Sequence, residues 1–164
     1  TINYQFEIPK SVIYIATDGD DVKGDGSESN PYKTLYRAFI IANESGTQIY
    51  MKSGTYDYLS YIGINNIIVT ISSYNGDVTI DRNSNFDVLK IYENANLTLN
   101  NIKFANGYNI YASDSALHNN GILIIKNCSF TNGTGGCYGQ YIDNKGYLEI
   151  YDSNFTDTKD FFPF

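Results

Sequence analysis

Positive charge is scarce in this chain. Lysine and arginine number 11 against 18 acidic residues, and only two are arginine, Arg37 and Arg82. Phosphate affinity rests on clustered Lys and Arg, so a chain of net charge −7 is a poor nucleic-acid binder. Cysteine is scarce as well. Cys128 and Cys137 cannot build a disulfide framework, and two reduced thiols are expected, with Cys128 a small core residue. No apolar run is long enough to span a membrane. No signal peptide is read at Thr1, which is compatible with a mature or trimmed chain. Histidine occurs once, at His118.

Aromatics and turn formers take the place of charge. Aromatic residues make up 15% of the chain, most of them Tyr. Tyr and Asn in place of Lys and Glu argue against long surface helices and for strands joined by polar turns. At 164 residues the chain can bury one real core. Five Asn-x-Ser/Thr triplets, at Asn43, Asn96, Asn127, Asn132 and Asn154, would accept glycans only on an exported chain.

A repeat organises the second half. Segments beginning at Ala95, Gly121 and Gly146 align, a spacing of 26 and then 25 residues. Leu97, Leu123 and Leu148 correspond, then Leu99, Ile125 and Ile150, then Asn101, Asn127 and Asp152, then Ile102, Cys128 and Ser153, then Phe104, Phe130 and Phe155. Ile91, Leu117 and Ile142 each lie four residues before a repeat. Val69 and Ile71 fit a looser earlier copy, with Tyr74–Asp77 inserted.

Upstream, Val12–Thr17 alternates as a strand. Asp18–Pro31 is an acidic loop. Leu35, Ala38, Phe39 and Ala42 then follow helical spacing, with Thr34 as N-cap and Gly46 just beyond the end. After Gly46 short strands are expected at Thr47–Tyr56 with a Gly turn, Asn66–Ser73, Val78–Asp81 and Val88–Ile91.

One repeat is too small to form its own core, so copies must stack. A period near 25 with three short strands and Asn/Gly turns is one coil of a parallel β-helix, with equivalent residues about 4.8 Å apart. The expected fold is all-β, a right-handed parallel β-helix with a short N-terminal capping helix. One domain is expected over 1–164: strand, acidic loop and helix in 1–45, coils in 46–158 and a tail in 159–164. Asn101 and Asn127 should form an amide ladder inside a turn. The C-terminal end offers no equivalent helix: either the apolar tail ending Phe161-Phe-Pro-Phe plugs it or, the favoured expectation, the chain is a segment of a longer solenoid, and end-to-end self-association through an uncapped end is an alternative.

Ile13-Tyr-Ile-Ala-Thr-Asp-Gly, Asn30-Pro-Tyr-Lys-Thr-Leu and Gly46-Thr-Gln-Ile-Tyr-Met-Lys-Ser-Gly-Thr-Tyr resemble the opening module of pectate-lyase-like β-helix proteins. Leu123-x-Ile-x-Asn-Cys-x-Phe-Thr-Asn-Gly and Tyr141-Ile-Asp-Asn resemble repeats of adhesin-like surface proteins of methanogenic archaea, and are similar to the chlamydial polymorphic outer-membrane repeats. The resemblance implies an extracellular or cell-surface protein and covers roughly 12–158. It departs where those repeats carry Gly-Gly-Ala-Ile; here stand Asp114-Ser-Ala-Leu and Gly139-Gln-Tyr-Ile.

Four places could carry function. If Ile91, Leu117 and Ile142 point inward, Tyr92, His118 and Asp143 point outward on successive coils, flanked by Lys90, Ala116 and Tyr141. A Tyr and a His there could act as acid and base in uronate β-elimination, with Asp143 orienting the imidazole. The alternative is an ordinary solvated face. Asp18, Asp20, Asp21, Asp25 and Glu28 offer oxygen ligands suited to Ca²⁺, although the spacing is not that of an EF-hand. Asp77, Asp81, Arg82 and Asp87 form a mixed-charge turn. Tyr50, Tyr56, Tyr58 and Tyr61 could stack on sugar rings or simply suit strand surfaces.

The leading expectation is a non-catalytic adhesin-like module contacting polysaccharide or another cell surface, with no cofactor and no membrane insertion. A polysaccharide lyase or hydrolase is the alternative, and a self-assembling fibre or sheath subunit a third.

Overall fold

The structure, a computed structural model, describes residues 11–57, 61–81, 89–106, 117–131, 134–135, 141–156 and 159–160. Every strand pairing among them is parallel. The chain is the right-handed parallel β-helix that the repeat predicts.

Strand β1 (Val12–Ile15) leads in, and helix α1 (Leu35–Ile41) follows the acidic loop. The first coil holds β2 (Thr47–Tyr56) and β3 (Ile62–Ile64), the second β4 (Ile68–Asp81) and β5 (Leu89–Ile91). The third holds β6 (Asn96–Asn100), β7 (Lys103–Ala105) and β8 (Leu117–Asn119). The fourth holds β9 (Ile122–Lys126), β10 (Ser129–Thr131), β11 (Thr134–Gly135) and β12 (Ile142–Asn144). The fifth holds β13 (Tyr147–Tyr151), β14 (Asn154–Thr156) and β15 (Lys159–Asp160).

Three faces result. β6, β9 and β13 extend the first halves of β2 and β4; β7, β10 and β14 extend their second halves. The third face is β3, β5, β8 and β12.

Strand period 2 sends alternate side chains into the bore, and the register stacks like on like. Ile49, Ile71, Leu99 and Ile125 form one inward column, each fully buried. Val69, Leu97, Leu123 and Leu148 align as the repeat predicts. Phe104, Phe130 and Phe155 stack nearly parallel, with centroids 4.9 and 4.6 Å apart. Each fully buried side chain of this kind contributes about 1.5–3 kcal/mol. Cys128 is a buried free thiol in this core, as expected, and burial raises its pKa. Cys137 lies outside the described residues.

Thr34 caps α1 as predicted, its Oγ1 accepting from Arg37 N at 3.1 Å. Leu35 and Ala38 enter the core beside β1 and β3. A seven-residue helix is marginal alone, so this apolar contact holds it. At the other end Ile150 is 42% exposed and Phe155 38%, although their register partners Ile125 and Phe130 are fully buried.

Two expectations need correction. Asn101 and Asn127 do sit in turns, but they form no amide ladder there. Both are exposed with φ of 56° and 51°, and Asp152 follows at 47°. They turn the chain between strands in the left-handed region, which Asn and Asp tolerate better than other non-glycine residues. A true amide ladder stands elsewhere: fully buried Asn119 donates through Nδ2 to Asn144 Oδ1 at 2.7 Å and to Tyr147 O at 2.9 Å. Nor does Gly54 end a strand. β2 and β4 run through the corner, with a register shift between Lys52 and Gly54 opposite the Tyr74–Asp77 insertion.

Candidate functional site

The third face carries the candidate site. Gly63, Lys90, His118 and Asp143 align across β3, β5, β8 and β12. The buried neighbours Leu89 and Leu117 point inward, so these positions point outward along one axial line. His118 Nδ1 is 3.2 Å from Asp143 Oδ2, and Lys145 Nζ is 3.7 Å from the same oxygen. The His118 side chain is 17% exposed, so the pair is partly shielded from water.

Tyr92 is not in this row. Its offset comes from turn length: four residues (92–95) separate β5 from β6, against two (120–121) between β8 and β9. The row position belongs to Lys90, which the sequence reading placed at the flank. Tyr92 remains close. Lys90 Nζ lies 5.1 Å from its ring centroid, and its hydroxyl is 3.3 Å from that of Tyr61 on the coil before. Tyr141, the other expected flanking residue, is buried against Phe130 and Phe155 and donates to Thr156 O at 3.1 Å. Ala116 lies outside the described residues.

The arrangement has a definite chemical capacity. With Nδ1–H donating to Asp143, the basic lone pair of the His118 imidazole lies on Nε2, the atom through which it would take a proton. Lys90, whose ammonium lies over the Tyr92 ring, is the register partner of His118 on the neighbouring strand, about 4.8 Å away from backbone to backbone.

The acidic loop uses its carboxylates on its own backbone. Asp21 Oδ1 accepts from Lys33 N and Thr34 N at 2.7 and 2.9 Å, and its Oδ2 accepts from Thr34 Oγ1 at 2.6 Å. Asp20 accepts from Val22 N and Lys23 N, chiefly the latter holding its carboxyl below the ordinary range. Asp25 is lowered by hydrogen bonds from Ser27. Asp18 is exposed at the loop's start. Glu28 Oε1 accepts from Tyr74 OH at 2.9 Å. Among the described residues no three His, Cys, Asp or Glu side chains converge as a metal-holding group.

The tyrosines separate. Tyr56 is a core residue, not a surface platform: it is buried and donates to Lys52 O at 2.7 Å and to Ile15 O at 3.2 Å. Tyr50 packs with Tyr14 and Tyr74 in a half-buried cluster, centroids 5.1–5.5 Å apart. Tyr61 is exposed beside Tyr92. Tyr58 lies outside the described residues.

In the mixed-charge turn, Asp81 Oδ2 accepts from Asn106 Nδ2 at 2.9 Å, and Arg82 and Asp87 lie outside the described residues. Asp77 instead overhangs a groove of about 580 Å³ at the corner between the first two faces. The sequence reading missed that groove. Its signal was the corner length: six residues (73–78) between the register positions Ser72 and Thr79, against two (101–102) on the next coil.

Of the glycan acceptors, Asn43, Asn127 and Asn154 are exposed, Asn96 is half-buried and Asn132 lies outside the described residues. No helix among the described residues is long and apolar enough to cross a membrane.

No protein family's sequence profile matches the chain, and no curated protein matches it in sequence. Solved structures share its fold. It superposes on a point mutant of AlyGC, a PL6 family alginate lyase, with TM-score 0.62 and 20% identity, covering 94% of this chain and 21% of that one. On the native GH136 lacto-N-biosidase from Eubacterium ramulus the TM-score is 0.60 at 18% identity, covering 87% and 31%. A selenomethionine form of that enzyme gives 0.63 at 16%, covering 92% and 34%. The chain therefore spans between about a fifth and a third of these proteins' length, and at such identities the likeness is one of β-helix fold.

Proposed function

We propose that this chain is a polysaccharide-binding β-helix unit of an adhesin-like cell-surface protein, holding an extended glycan along the face of β3, β5, β8 and β12. The observation that carries the reading is the register: Lys90, His118 and Asp143 come from three successive coils yet form one straight line of polar groups. A linear array with a repeat of about 4.8 Å suits a linear polymer, which can meet one group per coil. The Tyr61–Tyr92 hydroxyl pair extends the same face with aromatic surface on which a sugar ring can stack. That the fold is shared with an alginate lyase and a lacto-N-biosidase supports a carbohydrate partner by analogy of scaffold. Calorimetric titration with alginate, polygalacturonate and neutral glucans tests it. Binding that is unaffected by the double variant K90A/H118A would refute this face as the site.

The His118–Asp143 hydrogen bond favours a second reading, a lyase. In that reading His118 Nε2 removes the proton on the carbon next to a uronate carboxylate, and Lys90 neutralises that carboxylate. The electron pair forms a carbon–carbon double bond as the glycosidic oxygen leaves, and the oxygen takes a proton from the Tyr92 hydroxyl or from water. An ultraviolet assay for the unsaturated product separates the readings: turnover that His118→Ala abolishes would establish the lyase.

A further inference from the structure

The groove at the corner between the first two faces arises from a step in coil size. Register pairs Ser72 with Asn100 and Thr79 with Lys103, so the second coil spends six residues where the third spends two. The fourth also uses two, 127–128, between Lys126 and Ser129. Two residues therefore suffice to close this corner, and the longer second coil overhangs the next two. Asn75 and Gly76, both at positive φ (57° and 137°), fold the overhang into a ledge above Asn101 and Asn127.

The groove's chemistry is mixed and nearly neutral. Asp77 supplies a carboxylate and Lys103 an ammonium, Asn101 and Asn127 supply amides, and Ser73 and Ser129 supply hydroxyls. Asp77, Asn101, Lys103 and Asn127 are all exposed, and no side-chain hydrogen bond or ion pair among the described residues occupies them. Carboxylate and amide groups together match the vicinal hydroxyls of a sugar, which both donate and accept. Among the described residues no aromatic lines the groove, and its apolar members Val78 and Ile102 are buried, so polar groups dominate the surface a ligand meets. Two coil steps give a floor about 10 Å long, and 580 Å³ lies within the ordinary range for small-ligand sites.

We propose that this ledge and floor form a second saccharide site, for a short neutral glycan segment lying along the solenoid axis. It is independent of the His118 face, from which it is separated by the turn of the coil, and stands whether or not that face binds polymer.

Amide NMR of the whole chain, titrated with cellohexaose and separately with an alginate hexamer, tests it. The expected result is shift changes confined to Ser73–Thr79, Asn101–Lys103 and Asn127–Ser129 with cellohexaose. The triple variant D77A/N101G/N127G should weaken that binding at least tenfold with its thermal midpoint kept, because glycine retains the left-handed turns while deleting the amides. Three results would overturn the proposal: no groove shifts with cellohexaose, groove shifts with the acidic hexamer alone, or groove binding that the triple variant leaves intact. Shifts at Lys90 and His118 in the same spectra report the other face separately, so the failure of either reading is distinguishable from the failure of the other.

Discussion

His118 on β8 hydrogen-bonds through Nδ1 to Oδ2 of Asp143, its register partner on β12, at 3.2 Å. The two are a whole coil apart in sequence and one strand apart in space. Parallel stacking gives such cross-coil pairs without any loop having to bring them together.

His118→Ala and Lys90→Ala should each weaken polysaccharide binding by about fivefold, the equivalent of roughly 1 kcal/mol for one lost polar contact. Lys90→Ala should stay within about 0.5 kcal/mol of the parent in thermal stability, and His118→Ala should lose about 1 kcal/mol with its hydrogen bond to Asp143. Titration calorimetry and thermal melts on the same samples check the pair of expectations. Unchanged affinity in both variants would remove this row from the site.

The phenylalanine stack should be unequal along its length. Phe130 is fully buried between Phe104 and Phe155, so Phe130→Ala should cost about 3–5 kcal/mol in urea unfolding. Phe155 has one ring face open at 38% exposure, and Phe155→Ala should cost less than half as much. Equal losses would mean that the last coil is covered.

Asn127 tests the corner turns. At φ 51° an alanine carries left-handed strain of about 1–2 kcal/mol, whereas glycine does not. Asn127→Ala should therefore lower the urea midpoint and Asn127→Gly should hardly move it. The reverse order would show that the amide, rather than the backbone, does the stabilising.

Asn119→Ala should be costly for a different reason. It strips partners from Gly121 N, which donates to Asn119 Oδ1 at 3.1 Å, and from the Tyr147 carbonyl. Leaving a buried group unsatisfied costs about 1–3 kcal/mol. Asn119→Asp keeps the acceptor; ionised it sets a buried carboxylate against the Asn144 and Tyr147 oxygens, and protonated it regains one donor, so its stability relative to the parent should rise as pH falls, which a pH series of melts reads.

Tyr56 should impose an alkaline limit. Its hydroxyl is buried, and burial, aided by Asp18, pushes its pKa well above the ordinary 10.0. The unfolded chain then loses this proton before the folded one does. The contribution is fully present below about pH 10 and lost as pH rises above it. Tyr56→Phe should flatten that alkaline decline while lowering stability at neutral pH, where its hydrogen bonds to Lys52 and Ile15 are lost. A decline of unchanged slope in the variant would assign alkaline unfolding to other groups.

Much of the architecture was legible because a solenoid converts sequence period into spatial neighbourhood. The Leu97, Leu99 and Phe104 columns follow from alignment alone, since stacking at strand spacing leaves like residues nowhere else to go. Thr34 as cap and Leu35 and Ala38 as the buried stripe of α1 were equally readable, since capping and helical period act within a few residues.

Where turn lengths vary, the same logic failed. Counting back four residues from each repeat put Tyr92 beside His118, but register is set by ladder hydrogen bonds, and the longer turn between β5 and β6 shifts the partner to Lys90. Gly121 is another case. In sequence it marks the start of a repeat; in space a Cβ there would run into the carbonyl oxygens of Tyr92 and Ala95, so it permits the close approach of one coil to the next. The recurrence of Asn101 and Asn127 predicts the turn but not the ladder, because recurrence reports only a shared backbone position, here a left-handed turn.

The sequence by itself therefore determined the coil, its inward columns, its capping helix and its acidic, arginine-poor surface, because those depend on local period and composition. The tertiary structure alone decided which outward residues stand side by side and where the corner steps into a groove. Those depend on the small differences in length between successive coils, which shift register and shape without altering the period that builds the core.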